Sequence, residues 1–269
     1  MYTGDDGWHY AKQVCYPFGY GLTYTRFEYG NYSVTEKNGN YIVSVTVKNV
    51  GSTPAKEVVQ VYLQKPYTEY DKTNKIEKSA VELVGFEKTD TLSPNESVTV
   101  SVTVDKQALR AYDSYKARTY ILEKGDYYFA IGNSAHDALN NILAAKGKTV
   151  DDGMDYDGNK SFAKSVRINA DDFKVFSKSS VTGNDITNQF DNADINLYDG
   201  RNGQTITYLS RSDWEGTYPV GRYQLAITDY MANEITYKFG GEVTADPNDE
   251  MPLSGCVTAD EEYLSLLEF

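Results

Sequence analysis

The sequence predicts an all-β fold, two facing layers of antiparallel strands, on three observations. Apolar and polar residues alternate with a period of two along several short runs, turn signals recur about every ten residues between positions 23 and 133, and the two cysteines, Cys15 and Cys256, lie near opposite ends. Alternation places successive side chains on opposite faces of a strand, and evenly spaced turns are the mark of a sandwich. The lack of a Cys…Trp…Cys core spacing favours the fibronectin III type over a true immunoglobulin domain.

Taken in order, Tyr41, Val43, Val45 and Val47 alternate with Ile42, Ser44, Thr46 and Lys48, and the run stops at the turn Asn49-Val50-Gly51-Ser52. Val58 to Leu63 puts Val59, Val61 and Leu63 on one face and stops at Pro66, which cannot donate to a ladder. Ala80 to Phe86 is a further strand, and Leu92 to Ser97 a turn in which Asn95 tolerates left-handed backbone. Ser97 to Asp105 is the clearest strand, with Val98, Val100, Val102 and Val104 facing one way and Ser97, Thr99, Ser101 and Thr103 the other. Thr119 to Leu122 and Tyr127 to Ile131 flank Glu123-Lys124-Gly125-Asp126, which reads as a hairpin connection.

Beyond residue 134 the pattern loosens. Ala135 to Ala145 forms one short helix, since Ala138, Ile142 and Ala145 share a face and Gly147 ends it. Ser165 to Phe176, Thr205 to Leu209, Gln224 to Thr228 and Ile235 to Phe239 are isolated strand candidates without a second self-contained core. The expected organisation is an entry segment over 1–22, a sandwich over 23–134, the helix and an extended connector over 135–219, and a strand-containing tail over 220–269.

Charge and composition remove several functions. A net charge of −13 repels phosphate backbones and anionic lipid, so neither nucleic acid nor a membrane surface is an expected partner. Forty per cent hydrophobic residues and 24 Tyr exceed what a disordered acidic tail carries. No apolar run is long enough to span a bilayer, and the acidic start Met1-Tyr2-Thr3-Gly4-Asp5-Asp6 is unlike a secretory signal, which favours the cytoplasm. With only His9 and His136, and cysteines outside any metal or redox spacing, no metal and no cofactor are expected.

The entry sequence Cys15-Tyr16-Pro17-Phe18-Gly19-Tyr20-Gly21-Leu22-Thr23-Tyr24-Thr25 lets Gly19 and Gly21 turn sharply while its aromatics anchor the incoming chain on a core. It also resembles the Pro-Phe-Gly-Tyr-Gly-Leu-Ser-Tyr-Thr signature that leads into the fibronectin III-like domain of family 3 glycoside hydrolases, the β-glucosidase and β-xylosidase family. Val45 to Gly51, Lys56 to Tyr62, Glu82 to Lys88, the Leu92 to Ser97 turn, Tyr112-Asp113 and Gly125 to Gly132 are similar in order and spacing to that domain's landmarks. The likeness covers residues 15 to about 134. Ala135 to Gly147, Ile186 to Asp191 and Leu209 to Pro219 resemble a narrower branch in which an α/β sandwich and this domain precede the (β/α)8 barrel.

The resemblance implies that the chain is a non-catalytic region of a larger β-glucosidase-like enzyme, with the adjacent α/β-sandwich and barrel domains as its partners. Retaining glycosidases need two carboxyl groups about 5 Å apart on a rigid scaffold. In the family the nucleophile is a barrel Asp in a Ser-Asp-Trp context, and in many members the general acid comes from the α/β sandwich. Ser212-Asp213-Trp214 is the tempting match, but no eightfold βα repeat surrounds it, so Asp213 is a weak catalytic candidate and Trp214 reads as a docking residue together with Tyr16, Phe18 and Tyr20.

Four further patterns stand in the residues. The acidic loop Asp151 to Gly158 fails as a calcium site, because the register that makes Gly158 the turn glycine puts Gly153 first and Lys164 last. His136 beside Asp137 reads as pinning the short helix, and Asn31-Tyr32-Ser33 and Asn95-Glu96-Ser97 are glycosylation sequons without a secretion signal. Aromatic rings stack on sugars, so the alternative function is a free-standing carbohydrate-binding module, with Tyr67, Tyr70 and Tyr115 in polar loops as the glycan-facing residues.

Overall fold

The computed structural model describes residues 14–152, 154, 156–169, 174–190 and 208–213. The strands predicted from the sequence form with small shifts at their ends, and residues 27–37 and 111–113 add two that its pattern does not mark. They are β1 (Phe27–Lys37), β2 (Asn40–Asn49), β3 (Val58–Gln64), β4 (Glu82–Lys88), β5 (Ser97–Asp105), β6 (Ala111–Asp113), β7 (Thr119–Leu122), β8 (Gly125–Ile131), β9 (Ala163–Ile168) and β10 (Lys174–Phe176). Among the described residues, the α-helices α1 (Glu69–Thr73) and α2 (Ala135–Ala145) interrupt them.

One sheet has the order β1-β2-β5 and the opposing one β4-β3-β8-β9, with every neighbouring pair antiparallel. Between them Tyr41, Val43, Val45 and Val47 of β2 meet Val59, Val61 and Leu63 of β3 and Tyr127, Phe129 and Ile131 of β8 in one buried cluster. The alternation read from the sequence is thus the inner face of an all-β sandwich. Val98 departs from it: it is exposed while Val100, Val102 and Val104 are buried.

Three features differ from the sequence pattern, each for a physical reason. β1 is paired along β2 but breaks register between Gly30 and Ser33, and only Tyr32 of this strand is buried, so no period-two signal marks it. The expected β7–β8 hairpin does not form: β7 pairs with β6 and β10 in a third sheet, and the chain turns a corner into β8. At that corner Gly125 adopts a left-handed φ of 142° against the Pro66 ring, and Glu123 is buried instead of capping a turn.

The third difference lies in the stretch read as connector. β9 hydrogen-bonds along β8 from Gly125↔Ile168 to Ala130↔Ala163, so residues 163–168 supply the edge of the four-stranded sheet. The helix between them forms over the predicted residues, capped by Ser134, whose side chain accepts the Asp137 N–H. Ala138 and Ile142 are buried against Tyr62, Ala130 and Ala163 on the outer face of that sheet, whereas Ala145 is exposed. β3 and β8 are therefore covered on both faces. Ser165 to Phe176 is not one strand but parts of β9 and β10, with 170–173 outside the described residues.

Candidate functional site

The most concentrated polar chemistry among the described residues sits where the loop between β3 and β4 meets the β7–β8 corner. Thr68 caps α1 in a capping box: its hydroxyl accepts from the backbone of Tyr70 and Asp71, and the Asp71 carboxylate accepts the Thr68 N–H at 2.7 Å. Pinned in this way, Asp71 faces Lys78, whose ammonium donates to it at 2.8 Å, to the Pro66 carbonyl at 3.0 Å and to Glu123. The side chains of Lys78, Asp71 and Glu123 are 2%, 0% and 4% exposed. Burial pushes the Glu123 carboxyl up, opposed by the Lys78 bond and charge and by the Thr68 hydroxyl, which donates at 2.7 Å.

The Tyr candidates flank this knot. Tyr70 is half-buried and donates its hydroxyl to Asp113 at 2.8 Å; burial first, then the Asp113 bond, push that hydroxyl up to about 12. Asp113 also accepts the N–H groups of Tyr115 and Lys116. Burial works to raise its carboxyl, but these bonds together hold it below the usual range. Tyr115 is exposed at the tip of that turn. A cation covers each of the other two rings: Lys116 lies 4.9 Å from the Tyr70 centroid and the Arg211 guanidinium 4.9 Å from that of Tyr67.

The entry turn has the reverse of the expected arrangement. Its aromatics do not anchor the chain on a core: Tyr16, Phe18 and Tyr20 are 75%, 67% and 47% exposed. The backbone is what holds. The Phe18 carbonyl accepts from Ala135 N–H at 2.8 Å, the Gly19 carbonyl from the Gln60 amide at 2.8 Å, and Tyr20 N–H closes the turn on Pro17 at 3.0 Å. Gly19, at φ 82°, leaves no room for a Cβ beside Gln60 and Tyr62.

Asp213 is exposed in a turn whose preceding residues bind Glu77, and Trp214 lies outside the described residues, as do His9, Cys256 and the tail strands expected at 224–228 and 235–239. Tyr208 and Leu209 are exposed, and residues 205–207 of that strand candidate fall outside the description. His136 packs its ring edge-on to Tyr156 at 5.7 Å. In the acidic loop Asp152 accepts from Lys148 at 3.1 Å and from Thr149 N–H at 3.0 Å. Among the described residues no three His, Cys, Asp or Glu side chains are placed to hold a metal, and no helix is long and apolar enough to cross a membrane.

Chemically, the closest-knit carboxylates, Asp71 and Glu123, are sealed from solvent and bound to Lys78, so neither can meet a substrate. The sequence did not single out Lys78, Asp71 or Glu123. The Thr68-Glu69-Tyr70-Asp71 spacing is the one local signal that marks the loop as built.

Residues 57–135 match the family model for the fibronectin type III-like domain. This segment is a fibronectin type III-like domain. It runs from β3 to the start of α2 and contains the whole Lys78 knot. The chain is 39% identical over 134 residues to a β-glucosidase of Ruminococcus albus, covering 48% of this chain and 13% of that protein. It is 40% identical over 128 residues to thermostable β-glucosidase B of Acetivibrio thermocellus, covering 46% and 16%. Among solved structures, β-glucosidase 3B from Thermotoga neapolitana in complex with glucose matches at 34% identity over 45% of this chain and 16% of that one, with a TM-score of 0.40. The chain thus spans only 13–16% of the length of these two curated relatives, which carry further domains beside the fibronectin type III-like one.

Proposed function

We propose that this chain is the accessory, non-catalytic region of a family 3 glycoside hydrolase, of the kind that hydrolyses β-linked glucosides. Its fibronectin type III-like domain braces the domains that carry the catalytic carboxylates. The supporting observation is the entry turn: a backbone fixed by Ala135 and Gln60 presents Tyr16, Phe18 and Tyr20 outward, the arrangement of a surface made to be covered. The partners on this reading are an α/β sandwich before residue 23 and a (β/α)8 barrel after the tail, with Trp214 completing the docking set and Asp213 taking no part in bond cleavage.

The purified 269-residue chain is expected to release no 4-nitrophenol from an aryl β-glucoside at high protein concentration, and to migrate unretarded through glucan-containing gels. Turnover would overturn the non-catalytic reading. Retardation lost on Tyr115→Ala would instead support a carbohydrate-binding module.

A further inference from the structure

Residues 210–212 return to the loop between β3 and β4, more than 130 positions earlier in the chain, and make a dense set of contacts there. The two oxygens of the Glu77 carboxylate divide the work: one accepts the Ser210 hydroxyl at 2.8 Å and the other the Arg211 N–H at 3.0 Å. The Arg211 guanidinium donates to the carbonyls of Lys78 at 3.1 Å and Ser79 at 3.4 Å and lies over the Tyr67 ring. Ser210 Oγ also accepts the Ser212 N–H at 3.0 Å, which folds the three residues into a tight turn.

We propose that Tyr67 and Glu77–Ser79 form a receptor for the Ser210-Arg211-Ser212 turn, a clasp that fixes where the chain leaves the β-sandwich. The receptor is preformed. Lys78 binds inward to Asp71, Glu123 and the Pro66 carbonyl, so the loop is closed on itself before its outer carbonyls meet Arg211. A rigid receptor lowers the ordering cost of binding a short segment, and the planar guanidinium suits two adjacent carbonyls and an aromatic face at once. Arg211 is on this reading a positioning residue: it holds the 210–212 turn on the loop between β3 and β4. These contacts lie within residues 67–79 and 210–212 and do not depend on the reaction of the parent protein.

Trypsin tests it, because the protease must take the arginine side chain into its own pocket and a clasped Arg211 is withheld. With each bond followed by mass spectrometry, cleavage after Arg211 is expected to be at least about tenfold faster in Glu77→Ala than in the unaltered protein, a ratio equal to about 1.4 kcal/mol of lost clasp stability. Cleavage after Lys178 should be unchanged in the same digest. Glu77 is exposed, so its loss leaves the core intact, and Ser210→Ala, which removes one bond to the same carboxylate, should give a smaller acceleration in the same direction. Equal rates after Arg211 in all three proteins, or equal acceleration at both bonds, would overturn the clasp.

Discussion

The ammonium of Lys78 lies 2.8 Å from the Asp71 carboxylate, and both side chains are removed from solvent. A buried charge left without its partner is far costlier than a pair replaced by apolar groups. Lys78→Met strands Asp71 and Glu123 together and is expected to destabilise the fold by about 3–5 kcal/mol, read as a lower urea midpoint at unchanged slope. Adding Glu123→Gln should return part of that loss, because it removes one of the two stranded charges.

The same knot sets a pH dependence. Glu123, and Glu57 beside Tyr29, are both raised chiefly by burial above their ordinary value of 4.5, so the folded state takes up protons more readily than the unfolded chain. Their cost to stability is full above the folded pKa and is relieved as pH falls through it. Asp113 has the opposite sign: lowered below 3.8 by its four hydrogen bonds despite burial, it contributes stability above that value and loses it as pH falls through the folded pKa. Stability is therefore expected to rise as pH falls towards 4.5, through the raised folded values of the two Glu residues, and to fall as pH drops below 3.8, followed by urea unfolding at each pH. Glu123→Gln should flatten the rise and leave the acid loss.

Asn49 is wholly buried and fully used. Its amide donates to the carbonyls of Thr53 at 2.9 Å and Leu92 at 2.8 Å, while its oxygen accepts Thr25 Oγ1 at 2.8 Å and Gly51 N–H at 3.1 Å. Asn49→Ala leaves the Leu92 carbonyl buried without this partner and frees the turn after β2, an expected loss of about 3 kcal/mol by thermal or chemical denaturation. Asn49→Asp, which keeps the acceptor but loses both donors, should be no better.

Helix α2 packs Ala138 and Ile142 on the outer face of the sheet and donates the Asn141 amide to the Ile131 carbonyl at 2.9 Å. Ile142→Ala opens a cavity against Tyr62 and is expected to cost about 2–4 kcal/mol, with amide exchange quickening first in α2 and β9.

At the entry turn, Tyr16→Ser combined with Phe18→Ser should leave the melting temperature within about 2 °C, since neither side chain packs on the core, yet reduce binding of an apolar fluorescent dye. An undiminished dye signal would place the exposed apolar surface elsewhere.

Much of the sandwich was legible because β2 and β5 bury one face only, and β3 keeps its aliphatic residues on the inner face although α2 covers its other side. Tyr41 to Val47, Val100 to Val104 and Val59 to Leu63 carry their inner face as bare alternation, and Ala138 and Ile142 with Gly147 mark the buried stripe and the end of α2, whereas Ala145, read on the same face, is exposed. β1 was illegible because its bulge at Gly30 to Ser33 breaks the period; β9 was marked as part of the 165–176 candidate, but its place beside β8 was not, because β8 lies beyond an intervening helix and loop. Tyr67, Tyr70 and Tyr115 stand out in the sequence for lying in polar loops. Sequence cannot say that Lys116 and Arg211 cover two of those rings while Tyr115 stays open.

By itself the order of residues determined the all-β class, the inner-face residues and the extent of the helix, since these follow from side-chain periodicity and local capping. Only the folded chain decided which strands lie side by side, that the aromatics at 16–20 face solvent while their backbone is bound, and that Lys78 joins Asp71 to Glu123 and carries Arg211 on its carbonyl. Those pairings link positions up to 134 apart, and the energy of a buried charge or an exposed ring depends on neighbours that no local pattern encodes.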